Sequence, residues 1–181
     1  MGAFGTNRDD FVFPGTSAEM PESGSGGRST TSRSYHGQFR YVVDSGRRVM
    51  IPKSWRPGDP QTEFVALLWP IRPSDPGEVH LVMLPPDEWQ VRLDKMKAAN
   101  LTDDEAAQME RSIAVRSAQL VLDKVWRFCL PAELADGAGI GKEALFVGRL
   151  RLFEIWSPER YRPDVLENQT VAARTAINFR L

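Results

Sequence analysis

The chain of 181 residues contains one cysteine, Cys129, and two histidines, His36 and His80. One cysteine excludes an internal disulfide bond, and these three side chains do not supply the ligand cluster of a zinc site. No apolar run approaches the ~18 residues of a membrane-spanning helix, and the N-terminus lacks the basic and apolar stretches of a signal peptide. The sequence therefore predicts a protein of the reducing cytoplasm with no membrane segment. Because Cys129 stands between Phe128 and Leu130, we expect a small buried hydrophobe and not a reactive thiol.

The chain also lacks recognisable catalytic machinery. It contains no nucleophile–base set and no glycine-rich phosphate loop, and acids such as Asp87, Glu88, Glu154 and Glu159 stand at predicted strand or helix ends, where capping explains them. The sequence therefore predicts that the protein is not an enzyme, and it gives no reason to expect a cofactor, a metal ion or a small-molecule substrate.

What the chain does contain is an internal repeat. Residues 44–52 read Asp-Ser-Gly-Arg-Arg-Val-Met-Ile-Pro, and residues 123–131 read Asp-Lys-Val-Trp-Arg-Phe-Cys-Leu-Pro. Both fit Asp-x-x-x-Arg, two further residues, an aliphatic residue and proline. The match continues more loosely in two further pairs of blocks: 64–68 with 144–148, and 81–84 with 153–156. A duplicated unit predicts two similar substructures related by a pseudo-two-fold axis, and units this small favour homo-oligomers.

The spacing of the repeat changes along the chain. The Asp-x-x-x-Arg blocks are 79 positions apart (123 − 44), whereas the later blocks are 72 apart (153 − 81). The first unit must therefore contain the longer internal connection, and the proline-rich stretch 69–78 is its natural place.

Local patterns predict short strands and helices. The expected strands are 39–43, a return strand at 49–51 after the turn 44–46, 63–69, 79–84, a second strand–turn–strand at 119–130, 144–147 and 150–155. The expected helices are 86–98, a helix from the capping box 102–105 to about 117, and a last helix from 157. The predicted organisation is a disordered extension (1–34), a first unit (35–92), a linker helix (93–117), a second unit (118–162) and a C-terminal tail (163–181).

The repeated Asp and Arg admit two interpretations. Structurally, an aspartate at a turn accepts backbone N–H bonds and pairs with the arginine. Functionally, an arginine at the base of a turn faces phosphates or a guanine edge. Spacing alone favours the structural interpretation. However, residues 33–56 hold six cations against one acid, and residues 111–127 hold four against one, in a chain whose formal net charge is −1. This local basic charge favours anion binding.

These blocks resemble the MraZ family of the AbrB/SpoVT-like β-rich DNA binders. In that family each half carries Asp-x-Lys-Gly-Arg, an aliphatic pair and proline, which stand here at 44–52 and 123–131. The family's Phe-Arg-Gly is similar to Tyr35-His36-Gly37, and its Phe-Glu-Ile-Trp stands intact at 153–156. The resemblance covers about residues 35–162, and the combination of motifs is specific.

The resemblance implies an α+β, β-rich fold of two tandem AbrB/SpoVT-like units of the double-split β-barrel type, with short helices. It implies a ring-shaped homo-oligomer that binds repeated promoter sites in double-stranded DNA, represses the division and cell-wall gene cluster, and is associated with the nucleoid in the cytoplasm. The implied site residues are the DNA-contacting Arg48 and Arg127, the neighbouring cations Arg47 and Lys124, and the turn-forming Asp44 and Asp123.

Two departures from the family motif affect the turns. The motif glycine, which serves a positive φ, is replaced by Arg47 in the first copy and by Trp126 in the second. Gly46 offers the first turn another position for its bend, and the second turn has no glycine. These turns and the near-neutral charge keep a second hypothesis open, an oligomeric scaffold or partner-binding ring with weakened DNA recognition.

Overall fold

The computed structural model describes residues 33–71 and 76–162. Almost all of the predicted N-terminal extension and the whole C-terminal tail lie outside the described residues, so those two predictions are not tested. The described strands are β1 (Gln38–Val42), β2 (Arg48–Met50), β3 (Phe64–Trp69), β4 (His80–Leu84), β5 (Ser117–Leu120), β6 (Arg127–Cys129), β7 (Glu143–Arg149) and β8 (Leu152–Trp156). The α-helices are α1 (Pro86–Lys97), α2 (Asp103–Ala114) and α3 (Ala132–Ala138), and 3-10 turns stand at Lys53–Trp55 and Pro76–Glu78.

The strands form a six-stranded antiparallel sheet and a separate two-stranded ribbon. The order in the sheet is β1-β7-β8-β4-β3-β5, and β2 pairs with β6 in the ribbon. In the sheet, the equivalent strands of the two halves are β1 and β5, β3 and β7, and β4 and β8. When each strand is exchanged for its equivalent, the order is the same read from the opposite edge. The predicted β-rich α+β fold class is therefore confirmed, and its two halves are related by a pseudo-two-fold axis.

Strand register locates this axis. In the ribbon, Val49 lies opposite Phe128, and these residues occupy the same position in the two copies of the repeat. At the centre of the sheet, Val82 lies opposite Glu154, which are again equivalent positions. The axis therefore passes through the middle of both structures, so it relates the two Asp-x-x-x-Arg turns that flank the ribbon.

The return strand of the sequence prediction does not pair back onto its own neighbour. β1 pairs with β7, whereas β2 pairs with β6, the same strand of the other copy. Expecting each strand–turn–strand to close on itself was therefore wrong, because residue patterns assign a strand to a face but do not choose its partner. The unit boundaries at 35–92 and 118–162 stay predictions, and the strand pairs cross between these segments.

The predicted long connection in the first half is confirmed. β3 ends at Trp69 and β4 begins at His80, whereas β7 ends at Arg149 and β8 begins at Leu152. The first connection is therefore eight residues longer than the second. The same difference separates two sequence offsets: β7 ends 80 positions after β3 ends, whereas β8 ends 72 positions after β4 ends.

The core lies between one face of the sheet and the ribbon. The inward residues of the ribbon, Val49 and Phe128, are fully buried. Phe128 packs edge-on against Phe64, and the ring centre of Phe153 lies 5.9 Å from that of Phe64 and 6.4 Å from that of Phe128. Each large apolar side chain buried in this way contributes about 1.5–3 kcal/mol. The ribbon is thereby fixed on the sheet, and its opposite face and its two turns remain at the surface.

The helices follow the sequence in part. Thr102 and Glu105 form the predicted capping box of α2, and α1 begins at the predicted proline. Helix α3 was not predicted, and it replaces the 3-10 turn that stands at the equivalent place in the first half. The predicted last helix is wrong at its start, because residues 158–160 form only a turn. In the part of the chain that the structure describes, no helix is long and apolar enough to cross a membrane.

Candidate nucleic-acid interface

The first turn is built around the carboxylate of Asp44. Its Oδ1 accepts the backbone N–H groups of Gly46 and Arg48, each at 2.9 Å, and its Oδ2 accepts the guanidinium Nε of Arg48 at 2.8 Å. The backbone closes the same loop, since the N–H of Asp44 donates to the carbonyl of Arg48 at 3.0 Å. One aspartate therefore fixes both the bend and the direction of the arginine.

The second turn repeats this geometry. Asp123 Oδ1 accepts the N–H groups of Val125 at 2.9 Å and of Arg127 at 3.0 Å, and Oδ2 accepts Arg127 Nε at 2.8 Å. Arg127 also extends across the axis, with its Nη1 3.5 Å from Asp44 Oδ2. This contact between the two copies could not be read from the sequence, because it depends on the pairing of β2 with β6.

The hydrogen bonds favour the charged form of both aspartates. The backbone N–H of Arg48, followed by its guanidinium and the N–H of Gly46, holds the pKa of Asp44 below its ordinary value of 3.8. Desolvation opposes the ionisation of Asp123, yet the N–H and guanidinium of Arg127 and the N–H of Val125 keep its pKa below the same value. Both turns therefore hold fixed carboxylate–guanidinium pairs at neutral pH.

The replaced glycine positions keep the backbone conformation that favours glycine. Arg47 has φ 56° and Trp126 has φ 67°, so both occupy the left-handed region in spite of their side chains. The alternative that Gly46 takes over the bend is wrong, because its φ is not positive. Two backbone hydrogen bonds between the copies of the repeat stabilise this conformation: Ile51 N–H donates to the Trp126 carbonyl, and Leu130 N–H donates to the Arg47 carbonyl.

The outer face of the ribbon carries both motif arginines. Alternation along each strand places Val49 and Phe128 inward and their neighbours outward, so that Arg48 lies opposite Cys129 and Met50 lies opposite Arg127. The expectation that Cys129 is buried is wrong: it is exposed, because it follows the inward Phe128 in a strand of period two.

The four predicted cations lie in or directly after the two turns, but in different environments. Arg48 and Arg127 are held by the aspartates, as the structural interpretation expects. Arg47 and Lys124 are exposed, and neither side chain has a hydrogen-bond or ion-pair partner within residues 33–71 and 76–162. The site therefore combines two oriented guanidinium groups with two unpaired cations, a combination suited to phosphate oxygens.

The sequence did not predict a role for Arg56. Its guanidinium lies 5.7 Å from the centre of the Trp126 ring, a distance typical of a cation–π contact, and its Nε has no hydrogen-bond partner among the described residues. The only signal in the sequence was the tryptophan at a motif glycine position, and the partner of that ring follows from the fold.

The fold and the site define a class of protein, a β-rich chain with an internal duplication whose two Asp-x-x-x-Arg turns pair about a pseudo-two-fold axis. The family model described as "MraZ protein, putative antitoxin-like" matches residues 114–176. The transcriptional regulator MraZ of Natranaerobius thermophilus is 32% identical over 127 residues, 70% of this chain and 83% of the relative. The chain belongs to the MraZ family, as its motifs predicted.

Other relatives match over a greater length. The transcriptional regulator MraZ of Desulfitobacterium hafniense strain DCB-2 is 31% identical over 149 residues, 80% of this chain and 98% of the relative. That of Lachnoclostridium phytofermentans is 29% identical over 150 residues, 81% of this chain and 98% of the relative. These alignments span nearly the whole relatives, so the likeness includes both halves of the duplication.

Proposed function

We propose that the protein is a sequence-specific DNA-binding transcriptional regulator that binds through the outer face of the β2–β6 ribbon and its two turns. The observation that carries this proposal is the pair of Asp-x-x-x-Arg turns, which orient Arg48 and Arg127 in the same turns as the exposed Arg47 and Lys124. The relatives named transcriptional regulators support the same assignment.

The four cations have two distinct tasks in this interface. Arg48 and Arg127 are directed by their aspartates, so they are suited to a defined base edge or phosphate. Arg47 and Lys124 are free to follow the DNA backbone, where each contact releases counterions and adds to the salt dependence of binding. Neither task requires catalysis, so the proposed activity is regulation by binding and not an enzymatic reaction.

A single subunit offers few contacts, so we place its action in a homo-oligomer, a ring on repeated promoter sites. Helix α2 supports association, because it has an apolar stripe yet contains no buried residue. When several subunits bind adjacent repeats, each event after the first is intramolecular, and the overall affinity rises steeply. By the family resemblance, the target is the promoter of the division and cell-wall gene cluster, the effect is repression, and the location is the nucleoid.

Two observations favour a second function. Both motif arginines already have carboxylate partners, and the formal net charge of the chain is −1. An oligomeric scaffold or partner-binding ring needs the turns only for their shape. The two functions differ in what they predict for DNA.

Binding of the full chain to the DNA upstream of its own coding sequence distinguishes them. We expect the promoter fragment to bind more tightly than a scrambled fragment of equal length, and binding to weaken by orders of magnitude between about 50 and about 200 mM salt. Equal affinity for both fragments at low salt would favour the scaffold.

A further inference from the structure

The two turns differ in how firmly they hold their arginines. Arg48 has one carboxylate partner among the described residues, Asp44, and 46% of its side chain is exposed. Arg127 contacts Asp123 through Nε and Nη2, each at 2.8 Å, and Asp44 through Nη1 at 3.5 Å. Only 29% of its side chain is exposed. Arg127 is therefore shared between both turns, whereas Arg48 belongs to one.

The space beside the two arginines also differs. Gly46 places no side chain in the first turn, at a position where a Cβ would stand 3.2 Å from Arg48 Nε and 3.3 Å from Asp44 Oδ1. The equivalent position in the second turn is Val125, a residue that is 52% exposed. A ligand that approaches the second turn therefore meets an apolar side chain, while the first turn presents its guanidinium without such a cover.

The replaced motif glycines complete the difference. Arg47 adds an exposed cation directly beside Arg48, with no hydrogen-bond or ion-pair partner in the part of the chain that the structure describes. Its counterpart Trp126 packs against the core and lies under the Arg56 guanidinium, so that position anchors the second turn. Lys124 remains as the free cation of the second turn, but it is not adjacent to Arg127.

We propose that the first turn makes the principal DNA contacts through Arg47 and Arg48, and that Arg127 is a positioning residue that holds Asp44 in place for Arg48. This inference rests on the proposed function, because it assigns roles within the same site. The loss of Arg127 leaves Asp44 with one guanidinium, so Arg48 is less firmly directed. The loss of Arg48 removes the contact itself.

The salt dependence of promoter binding separates these roles. We compare wild type, Arg48→Ala, Arg127→Ala and the double variant, each as the full chain with unchanged oligomeric mass. Arg48→Ala is expected to bind at least about tenfold more weakly, with a slope of log K against log salt that is shallower by about 0.9 for each engaged subunit. Arg127→Ala is expected to bind more weakly at an unchanged slope, and the double variant to resemble Arg48→Ala.

Arg127→Lys provides a second test that keeps the charge. Lysine lacks the planar fork that contacts two carboxylates, so this variant is expected to weaken promoter binding nearly as much as Arg127→Ala. It also replaces Arg127→Ala in the comparison if the alanine variant does not assemble.

Two results would overturn the inference. If Arg127→Ala lowers the slope as much as Arg48→Ala and the two losses multiply in the double variant, both turns contact DNA equally while the proposed function stands. If wild type does not prefer the promoter to a scrambled fragment, the proposed function fails and the division of roles fails with it.

Discussion

Replacing Arg47 with glycine should stabilise the protein while weakening its binding to DNA. A non-glycine residue in the left-handed region costs about 1–2 kcal/mol, and Arg47 stands there at φ 56°. Glycine removes this strain but costs about 0.4–1 kcal/mol through the greater freedom of the unfolded chain. The Arg47 side chain has no described partner to lose, so we expect a net gain of roughly 0.5–1 kcal/mol, or about 1–4 °C in melting temperature.

Leu150→Gly is the matched control. Leu150 has φ 62° in the connection between β7 and β8, and it is 57% exposed. Its backbone bonds with Tyr35 do not depend on its side chain. We therefore expect a similar gain in stability with unchanged DNA binding, because the substitution relieves the same strain and removes no cation.

Trp126→Gly should instead lower the stability of the protein, although Trp126 also stands in the left-handed region. Its half-buried ring packs against the core and under Arg56, and the loss of this packing, on the order of 2 kcal/mol, exceeds the strain relieved. Thermal unfolding at one protein concentration, with oligomeric mass and promoter affinity measured in parallel, gives all of these quantities. A lower melting temperature for Arg47→Gly, or promoter binding as tight as wild type, would refute the reasoning.

Two further predictions concern titratable groups. Burial opposes the ionisation of Glu154, but its contacts with His80, Trp156 and Arg149 hold its pKa below 4.5. The ionised carboxylate therefore stabilises the fold above pH 4.5, and this stabilisation is lost as the pH falls through the lowered pKa. Glu154→Gln should therefore cost about 1.5–3 kcal/mol at neutral pH, the range for a hydrogen bond to a charged group, and flatten acid unfolding; an unchanged acid limb would contradict this. Burial raises the pKa of Tyr35 to about 12, so wild type should lose stability between pH 10 and about 12 relative to Tyr35→Phe, and parallel profiles would disprove it.

The sequence predicted the features that depend on local pattern and on the repeat itself. The change of offset between 44/123 and 81/153 located the long connection between β3 and β4, and the Thr102 capping box fixed the start of α2. The shape of the two turns was left open by the sequence, and the backbone keeps a positive φ at Arg47 and Trp126, where the family motif has glycine. These are constraints that a few neighbouring residues impose on their own conformation.

Features that depend on distant partners were not predicted. The apolar run around Cys129 suggested burial, but its exposure is set by which side of β6 faces the sheet. The contact of Arg127 with Asp44 joins residues 83 positions apart, and it exists only because β2 pairs with β6. Patterns of period two identify faces, and only the assembled fold identifies the neighbours across them.

The central claim is that the paired turns bind promoter DNA, and the Arg48→Ala/Arg127→Ala double variant tests it most directly. Its control is Lys95→Ala/Lys97→Ala, which removes the same charge from α1, on the sheet face opposite the ribbon. With both oligomeric masses equal to wild type, we predict that the first variant loses its preference for the promoter fragment and that the control keeps it. Promoter binding by the Arg48→Ala/Arg127→Ala variant as tight as wild type would contradict the claim and leave the turns a purely structural role.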